Sequence, residues 1–427
     1  MSTDPGLLGE RATAPRAAAH PLRAVVTGIG VIAPNGIGTE AYWDATLRGT
    51  SGIDRVTRFD PAQYPSRLAG EVNLDVTGRV PGRLLPQTDR MTRLALIAAE
   101  EALADAGADP RQMPDFAAGV VTAGSAGGFE FGQKELEALW SKGGQYVSAY
   151  QSFAWFYPVN TGQISIRHGM RGPGSALVAD QAGGLDAIAK ARRHVRQGTP
   201  LMLTGAVDGS LCPWAWICMM SSGRLTTAED PRRAYLPFDR DAGGHAPGEG
   251  GAHLVLEDAE AARARGVDRP YAAIAGHAST FDARPGTTEP GGGTGLLRAA
   301  RIALADARVD PSDVDVVFAD AAGSSDLDRA EADTLARLFG ARAVPVTAPK
   351  TMTGRLLAGG GPLDVATAVL AMRDSVIPPT VHVDHEAHRE AIDLVRETPR
   401  QMRIDTALVL ARGHGGFNSA LVVRRVP

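Results

Sequence analysis

The sequence places a glutamine where a nucleophile would have chemical advantages. Between residues 176 and 188 an apolar strand pattern ends and a helical pattern begins, with Gln181 at the junction. Unpaired backbone N–H groups and the positive end of the helix dipole stabilise negative charge at such a turn. A cysteine there would be an activated thiolate. A carboxamide has no ionisable form and makes no thioester, so the segment also fits an ordinary strand–helix junction.

The two cysteines predict neither a metal site nor a disulfide framework. Cys212 and Cys218 lie six residues apart with no histidine cluster near them. Cys218 stands in the apolar run 214–220, which predicts a buried and inert thiol. Catalysis by Cys218 is therefore not expected.

The histidine and glycine patterns exclude the common cofactor motifs. The ten histidines include no His-x-x-x-His pair, and we expect His245, His253 and His414 to have structural roles. The glycines at 28–30 and 291–295 lack the dinucleotide fingerprint and the Gly-Lys-Ser/Thr ending of a phosphate loop. We expect no metal and no cofactor bound by this chain.

Alternating strand and helix patterns position these residues. Asp89 is a predicted N-cap for a helix that ends before Gly107, and a further helix is predicted over 182–197. Later helical patterns cover 296–307, 328–339 and 363–372, with strand patterns between them. This alternation predicts an α/β fold whose parallel strands are covered on both faces.

The domain organisation follows from length and glycine content. At about 100–200 residues per domain, 427 residues suggest two or three core-sized units. The glycine-rich stretch 289–295 lies past the middle, with enough chain on either side for a core. We predict a flexible extension over 1–22, a first half over 23–265 and a second half over 266–427.

Charge and hydropathy exclude two classes of partner. The 44 basic and 48 acidic residues give a net charge of −4, with no basic excess for neutralising nucleic-acid phosphates. No run of about 18 apolar residues predicts a membrane span. The first 22 residues lack the apolar core of a secretory signal, so we expect a cytoplasmic protein.

Several motifs follow one another from Arg23 almost to the C-terminus. They are RAVVTGIGVIAPNG (23–36), SGI (51–53), AGEV (69–72), LPFDRDAGGHAPGEGGAHLVLE (236–257), DRAEA (328–332), KTMTGRLLAGGG (350–361) and GHGGFNSALVV (413–423). With these motifs in this order the chain resembles the β-ketoacyl synthases of fatty acid and polyketide assembly.

Three departures from the family motifs carry most of the information. Gln181 stands where an elongating ketosynthase has its cysteine. Ala322 stands where the first catalytic histidine belongs, in an alignment that needs a deletion of about two residues before the DRAEA motif. Arg355 replaces the second histidine, so that of the usual set only Lys350 remains. Claisen condensation needs a thiolate to hold the acyl chain and imidazoles to stabilise the enolate.

This pattern, with the segments 178–187 and 212–216, is similar to the chain length factor, the ketosynthase β subunit of bacterial type II polyketide synthases. The resemblance implies a thiolase-like fold of two related halves in five αβαβα layers. It also implies a heterodimer with a Cys-bearing ketosynthase α subunit. The substrates would be poly-β-keto chains on the phosphopantetheine of an acyl carrier protein.

In this subgroup the helix after Gly128 faces a tunnel between the subunits. Phe129, Gly132, Gln133 and Leu136 share one side of that predicted helix. They are either tunnel residues or, for Phe129 and Leu136, ordinary core residues. The small Gly132 and the aliphatic Leu136 favour a roomier channel and a longer product.

The residues leave several alternatives open. Gln181 either helps to decarboxylate a malonyl carrier protein through its amide or is a packing relic. Arg355 either pairs with a carboxylate such as Glu331 or Asp180 or turns to solvent. The whole chain is a tunnel-shaping subunit, an independent acyltransferase or thiolase, or a module that stabilises a partner without touching substrate.

Overall fold

The computed structural model of the protein describes residues 22–125, 127–283 and 294–426. The predicted extension 1–22, apart from Leu22, and most of the glycine-rich stretch 289–295 lie outside the described residues. The strands in chain order are β1 (Ala24–Ala33), β2 (Gly36–Ile37), β3 (Ile53–Arg55), β4 (Leu68–Gly70), β5 (Ala118–Ala123), β6 (Gly174–Leu177), β7 (Leu201–Asp208), β8 (Gly250–Asp258), β9 (Ala272–Phe281), β10 (Val316–Phe318), β11 (Pro345–Thr347), β12 (Val376–Ile377), β13 (Asp393–Leu394), β14 (Arg400–Gln401), β15 (Thr406–Arg412) and β16 (Phe417–Arg424).

The helices follow the predicted alternation. They are α1 (Thr39–Leu47), α2 (Arg90–Asp105), α3 (Phe129–Lys142), α4 (Gln151–Ala154), α5 (Val159–His168), α6 (Gly183–Arg196), α7 (Pro213–Met220), α8 (Ala259–Ala264), α9 (Thr294–Ala307), α10 (Ser325–Phe339) and α11 (Gly360–Asp374). Asp89 is the N-cap of α2 as predicted, since its carboxylate accepts from Met91 N at 2.9 Å.

The main sheet repeats one pairing pattern twice. Its strand order is β13-β11-β10-β15-β16-β9-β1-β8-β7-β5-β6, with β2 added to β1. In the first part β6, β5 and β7 are parallel, then β8 and β1 are added antiparallel. In the second part β11, β10 and β15 are parallel, then β16 and β9 are added antiparallel. The two parts meet where Val25 and Val26 of β1 pair with Ala273 and Ala272 of β9.

Helices cover the sheet on its outer faces and fill the space between its two parts. The central layer is α6 and α11, which contact each other and are buried on most sides. On the outside, α2 packs against β1 and β8, and α9 packs against β9 and β16. The order helix, strand, helix, strand, helix is the five-layered thiolase-like arrangement that the resemblance implied.

The expectation of a parallel sheet was wrong for half of the pairings. Strands β15 and β16 are antiparallel because only Gly413–Gly416 separate them, too few residues for a crossover connection. β8 is also antiparallel to both of its neighbours. Hydrophobic runs show that a strand is buried, whereas strand direction depends on the path of the connection. Among the described helices none has the length and apolar character needed to cross a membrane.

Candidate functional site

The turn before α6 presents Gln181 to a cavity of about 510 Å³. After β6 the chain makes a tight turn over Asp180–Ala182 before α6 begins at Gly183. Asp180 has a φ of 49°, a left-handed conformation that is uncommon outside glycine. The Asp180 carboxylate accepts from His414 N at 2.7 Å and so ties this turn to the turn between β15 and β16.

The structure brings together the three positions at which the sequence departs from the family motifs. Gln181, Ala322 and Arg355 all line this cavity. Lys350 lies in a small recess beside it, which Gln181 and Arg355 also line. These residues come from three separate segments, which follow the ends of β6, β10 and β11 and meet at one place.

Arg355 is buried and paired with Asp320, a partner that the sequence reasoning did not name. Its side chain is 6 % exposed, so the solvent-facing alternative was wrong. Nη2 donates to Asp320 Oδ1 at 2.8 Å, and Nη1 donates to the carbonyl oxygens of Asp320 at 2.8 Å and Ala321 at 3.1 Å. The two carboxylates proposed from sequence are engaged elsewhere, Asp180 with His414 N and Glu331 with Arg412.

Asp320 holds a second guanidinium as well. Arg412 at the end of β15 donates from Nε to Asp320 Oδ2 at 3.0 Å, and from Nη2 to Glu331 Oε2 at 2.9 Å. Burial by itself would raise the pKa of Asp320, but Arg355, Arg412 and Lys350 outweigh it and the pKa lies below its ordinary value. The carboxylate therefore remains charged, and the cavity contains an ion-pair network of Asp320, Arg355 and Arg412.

Gln181 is held by the same network. In the amide orientation that satisfies both neighbours, its Nε2 donates to Leu357 O at 3.1 Å and its Oε1 accepts from Arg355 Nε at 3.3 Å. Both ends of the carboxamide are thus occupied, with one N–H left over. This geometry positions the side chain without giving it acid–base function.

Two further basic groups of the site, Lys350 and His245, are respectively ion-paired and uncharged. Lys350 Nζ donates to Ala319 O at 2.6 Å and lies 2.7 Å from Asp364 Oδ2. Burial raises the pKa of Asp364 to about 6 despite Lys350. His245 lines the cavity with Nδ1 3.3 Å from Ala322 O, and burial together with Arg355 lowers its pKa to about 3, so the imidazole is neutral.

Cys218 is exposed and lines the cavity, so the prediction of a buried thiol was wrong. The helix α7 spans only Pro213–Met220 and buries Ala215 and Trp216. Two residues further along a helix, Cys218 points away from the buried Trp216. An apolar run in a short helix therefore covers both a buried face and an open one. The buried cysteine is Cys212, whose pKa burial raises to about 11.

The predicted tunnel face on α3 surrounds a residue that the sequence reasoning gave no role, Trp214. The Phe129 and Trp214 ring centroids lie 4.4 Å apart, and Gln133 Oε1 accepts from Trp214 N at 2.9 Å. A Cβ added to Gly132 would lie 3.1 Å from the Trp214 ring. Phe129 also lines the cavity, whereas Leu136 is half-buried elsewhere on α3. The space beside Gly132 is thus filled by an indole from α7.

Trp214 escaped the sequence analysis because its contact with α3 spans some eighty residues of chain. The only local signal was its place in the segment 212–216, which counted toward the resemblance. Among the described residues no group of three histidine, cysteine or acidic side chains is arranged to hold a metal ion.

Comparisons with known proteins match nearly the whole chain. The model of the beta-ketoacyl synthase N-terminal domain matches residues 23–262, and that of the C-terminal domain matches residues 271–384. The tetracenomycin polyketide synthase ketoacyl synthase beta subunit of Streptomyces glaucescens is 62 % identical over 95 % of this chain and 99 % of its own length. The corresponding alpha subunit from the same organism is 35 % identical over 94 % of this chain and 97 % of its own length.

Solved structures agree with these relatives. The ishigamide ketosynthase/chain length factor superposes with a TM-score of 0.85 at 26 % identity, over 95 % of this chain and 99 % of that one. A type II polyketide synthase ketosynthase, solved with its acyl-carrier protein and bound to a hexaketide, gives a TM-score of 0.85 at 27 % identity, over 95 % and 100 % of the two chains.

Proposed function

The chain belongs to the beta-ketoacyl synthase family, and from this premise we propose that it is the non-elongating chain length factor subunit of a type II polyketide synthase. Its partner would be a Cys-bearing ketosynthase α subunit, and the pair would extend a poly-β-keto chain carried by an acyl carrier protein in the cytoplasm. The segments 23–265 and 266–427 are proposed as the two related halves.

The observation that carries the proposal is the ion-pair network in the former catalytic pocket. Elongation needs a thiolate that forms a thioester and histidines that stabilise an enolate. At those positions the chain has an amide, a methyl group and a guanidinium that is fixed by Asp320. None of these three side chains can form a thioester, so we propose that this subunit guides the polyketide chain while the α subunit carries it.

The surface of the isolated chain supports a large apolar interface. Trp140 is 82 % exposed, and Tyr146, Trp155, Phe156 and Tyr157 are also exposed on the segments around α3 and α4. Large exposed apolar side chains of this kind are typical of a protein interface. The strand β6 is the edge strand of the main sheet and is only partly buried.

Chain length would be set where α3 faces this surface. Phe129 and Gly132 pack against Trp214, so a larger residue at 132 must push the indole or enter the channel. We propose that the Gly132→Phe variant makes shorter products, measured by mass spectrometry of the polyketides from the reconstituted heterodimer. Gly162, at which a Cβ would meet nothing within 4 Å, offers the matched control Gly162→Ala. Unchanged product length in Gly132→Phe would favour a module that does not touch substrate.

For Gln181 we propose a packing role, because both ends of its amide are already hydrogen bonded. The alternative, assistance in decarboxylating a malonyl carrier protein, would have to use the one remaining N–H of this amide as the donor to the thioester oxygen. Gln181→Ala should leave the decarboxylation rate of the heterodimer unchanged. A rate lowered tenfold or more would establish the alternative.

The test of the whole proposal is covalent loading. We expect that incubating the heterodimer with an acyl thioester places an acyl adduct on the α subunit alone, as seen by intact mass spectrometry. A stable adduct on this polypeptide would overturn the proposal. Because Cys218 is exposed in the cavity, the Cys218→Ser variant is tested in parallel with the wild-type heterodimer. An adduct that forms on the wild-type chain and is absent from Cys218→Ser would make this chain an acyltransferase through Cys218.

A further inference from the structure

Arg224 is a charged group of the cavity that the proposed function leaves unused. It follows α7 and lines the cavity with its side chain half-buried. Its backbone is fixed, since Arg224 N donates to Ser222 Oγ at 3.2 Å and Arg224 O accepts from His245 N at 3.0 Å. Within residues 22–125, 127–283 and 294–426, its guanidinium has no hydrogen bond or ion pair.

The three carboxylates that line the cavity accept hydrogen bonds from other groups. Asp320 is shared by Arg355 and Arg412, and Asp180 accepts from His414 N. A third carboxylate, Asp282, accepts from the Asn418 side chain at 2.8 Å. Burial, and then the like charge of Arg355, lower the pKa of Arg224. An arginine remains protonated under these conditions, so Arg224 keeps its positive charge in a partly desolvated place. Asp320 and Asp180 act on that charge from a distance, but among the described residues none forms a hydrogen bond or ion pair with the guanidinium.

The rest of this wall is suited to an uncharged organic group. Ala215, Cys218 and Met219 of α7 line the cavity beside Arg224. The hydroxyl groups of Ser221 and Ser222 turn back to the helix, donating to Cys218 O and Met219 O at 2.7 Å each. The wall therefore offers a mostly apolar strip that ends at one guanidinium, in a space of about 510 Å³.

We propose that this subunit's own cavity binds an organic oxyanion, with a carboxylate or phosphate head paired to Arg224 and an uncharged body lying along α7. The guanidinium presents a planar pair of donors that both kinds of head accept. The subunit would thus keep a ligand site of its own although it has lost the groups for condensation. The inference depends on the proposed function only for the heterodimer in which it is tested.

Calorimetric titration of the heterodimer tests the proposal without any turnover. The probes are malonate and phosphopantetheine, with neutral pantetheine for comparison. Arg224→Gln should weaken binding of an anionic probe about tenfold or more, as expected when a charged hydrogen-bonding group is lost. Arg224→Lys should bind with intermediate affinity. A response to malonate alone would identify a dicarboxylate ligand, and a response to phosphopantetheine alone would identify the carrier-protein arm.

The α subunit contributes the same binding to the wild-type heterodimer and to each variant, so a difference in measured affinity between them is due to this chain. Arg232→Gln removes an exposed arginine outside the cavity and should bind as wild type does. Melting temperature and co-purification verify that each variant is folded, and Arg224→Lys serves if Arg224→Gln does not fold. Equal affinity of wild type and both Arg224 variants for malonate and for phosphopantetheine would overturn the inference. So would equal affinity for pantetheine and phosphopantetheine together with no binding of malonate. Neither result would affect the loading test of the proposed function.

Discussion

Replacing Arg355 with methionine tests whether its ion pair with Asp320 stabilises the fold. The guanidinium donates to Asp320 Oδ1, to the carbonyls of Asp320 and Ala321, and to Arg412 O at 3.3 Å. Methionine fills a similar volume without these donors. Removing one partner of a buried ion pair costs about 3–5 kcal/mol, because the other charge stays buried. Asp320 keeps the Nε and backbone N–H of Arg412, at 3.0 and 2.9 Å, so the low end, about 3 kcal/mol, is expected.

Urea unfolding of the heterodimer, followed by tryptophan fluorescence at fixed protein concentration, measures this change. With a slope of about 3 kcal/mol per M, the midpoint should fall by about 1 M. Arg232→Met, which removes an exposed arginine, should stay within about 0.5 kcal/mol of wild type. A loss of less than about 1 kcal/mol in Arg355→Met would refute the reasoning, since the ion pair would then be dispensable.

Three further predictions concern other parts of the chain. Burial raises the pKa of Asp328 to about 7, so the folded state holds an extra proton between about pH 4 and 7. The free energy of unfolding should therefore fall as the pH rises through that window. In pH-dependent urea titrations Asp328→Asn should reduce the slope of unfolding free energy against pH by about one proton, and an unchanged slope would contradict this prediction. Iodoacetamide should modify exposed Cys218 and spare buried Cys212, and peptide mass mapping that finds the reverse would show that the partner covers α7. Asp89→Ala removes the acceptor for Met91 N and, at 2.8 Å, for Phe131 N, so it should cost about 1–3 kcal/mol of unfolding free energy; a loss below about 0.5 kcal/mol would show that α2 and α3 do not depend on it.

The elements of the fold were largely predictable because each helix and strand carries its own periodic signal. The stretch after Asp89 shows an apolar stripe and a cap within one segment, and the structure has α2 there. Strand direction was predicted less well. Alternation of strands and helices suggested a parallel sheet, whereas β8 and β16 run against their neighbours, because direction depends on connections that pass over the sheet.

The sequence by itself determined what this site lacks. Residue identity does not depend on the fold, so the side chains of Gln181, Ala322 and Arg355 supply neither a thiol nor an imidazole at the three motif positions. Only the tertiary structure decided what these residues touch: Arg355 reaches Asp320 instead of Glu331 or Asp180, Trp214 lies against Phe129, and Cys218 faces the open side of α7. Each of these arrangements depends on how segments far apart in the chain pack together, and the pattern within one segment does not predict that packing.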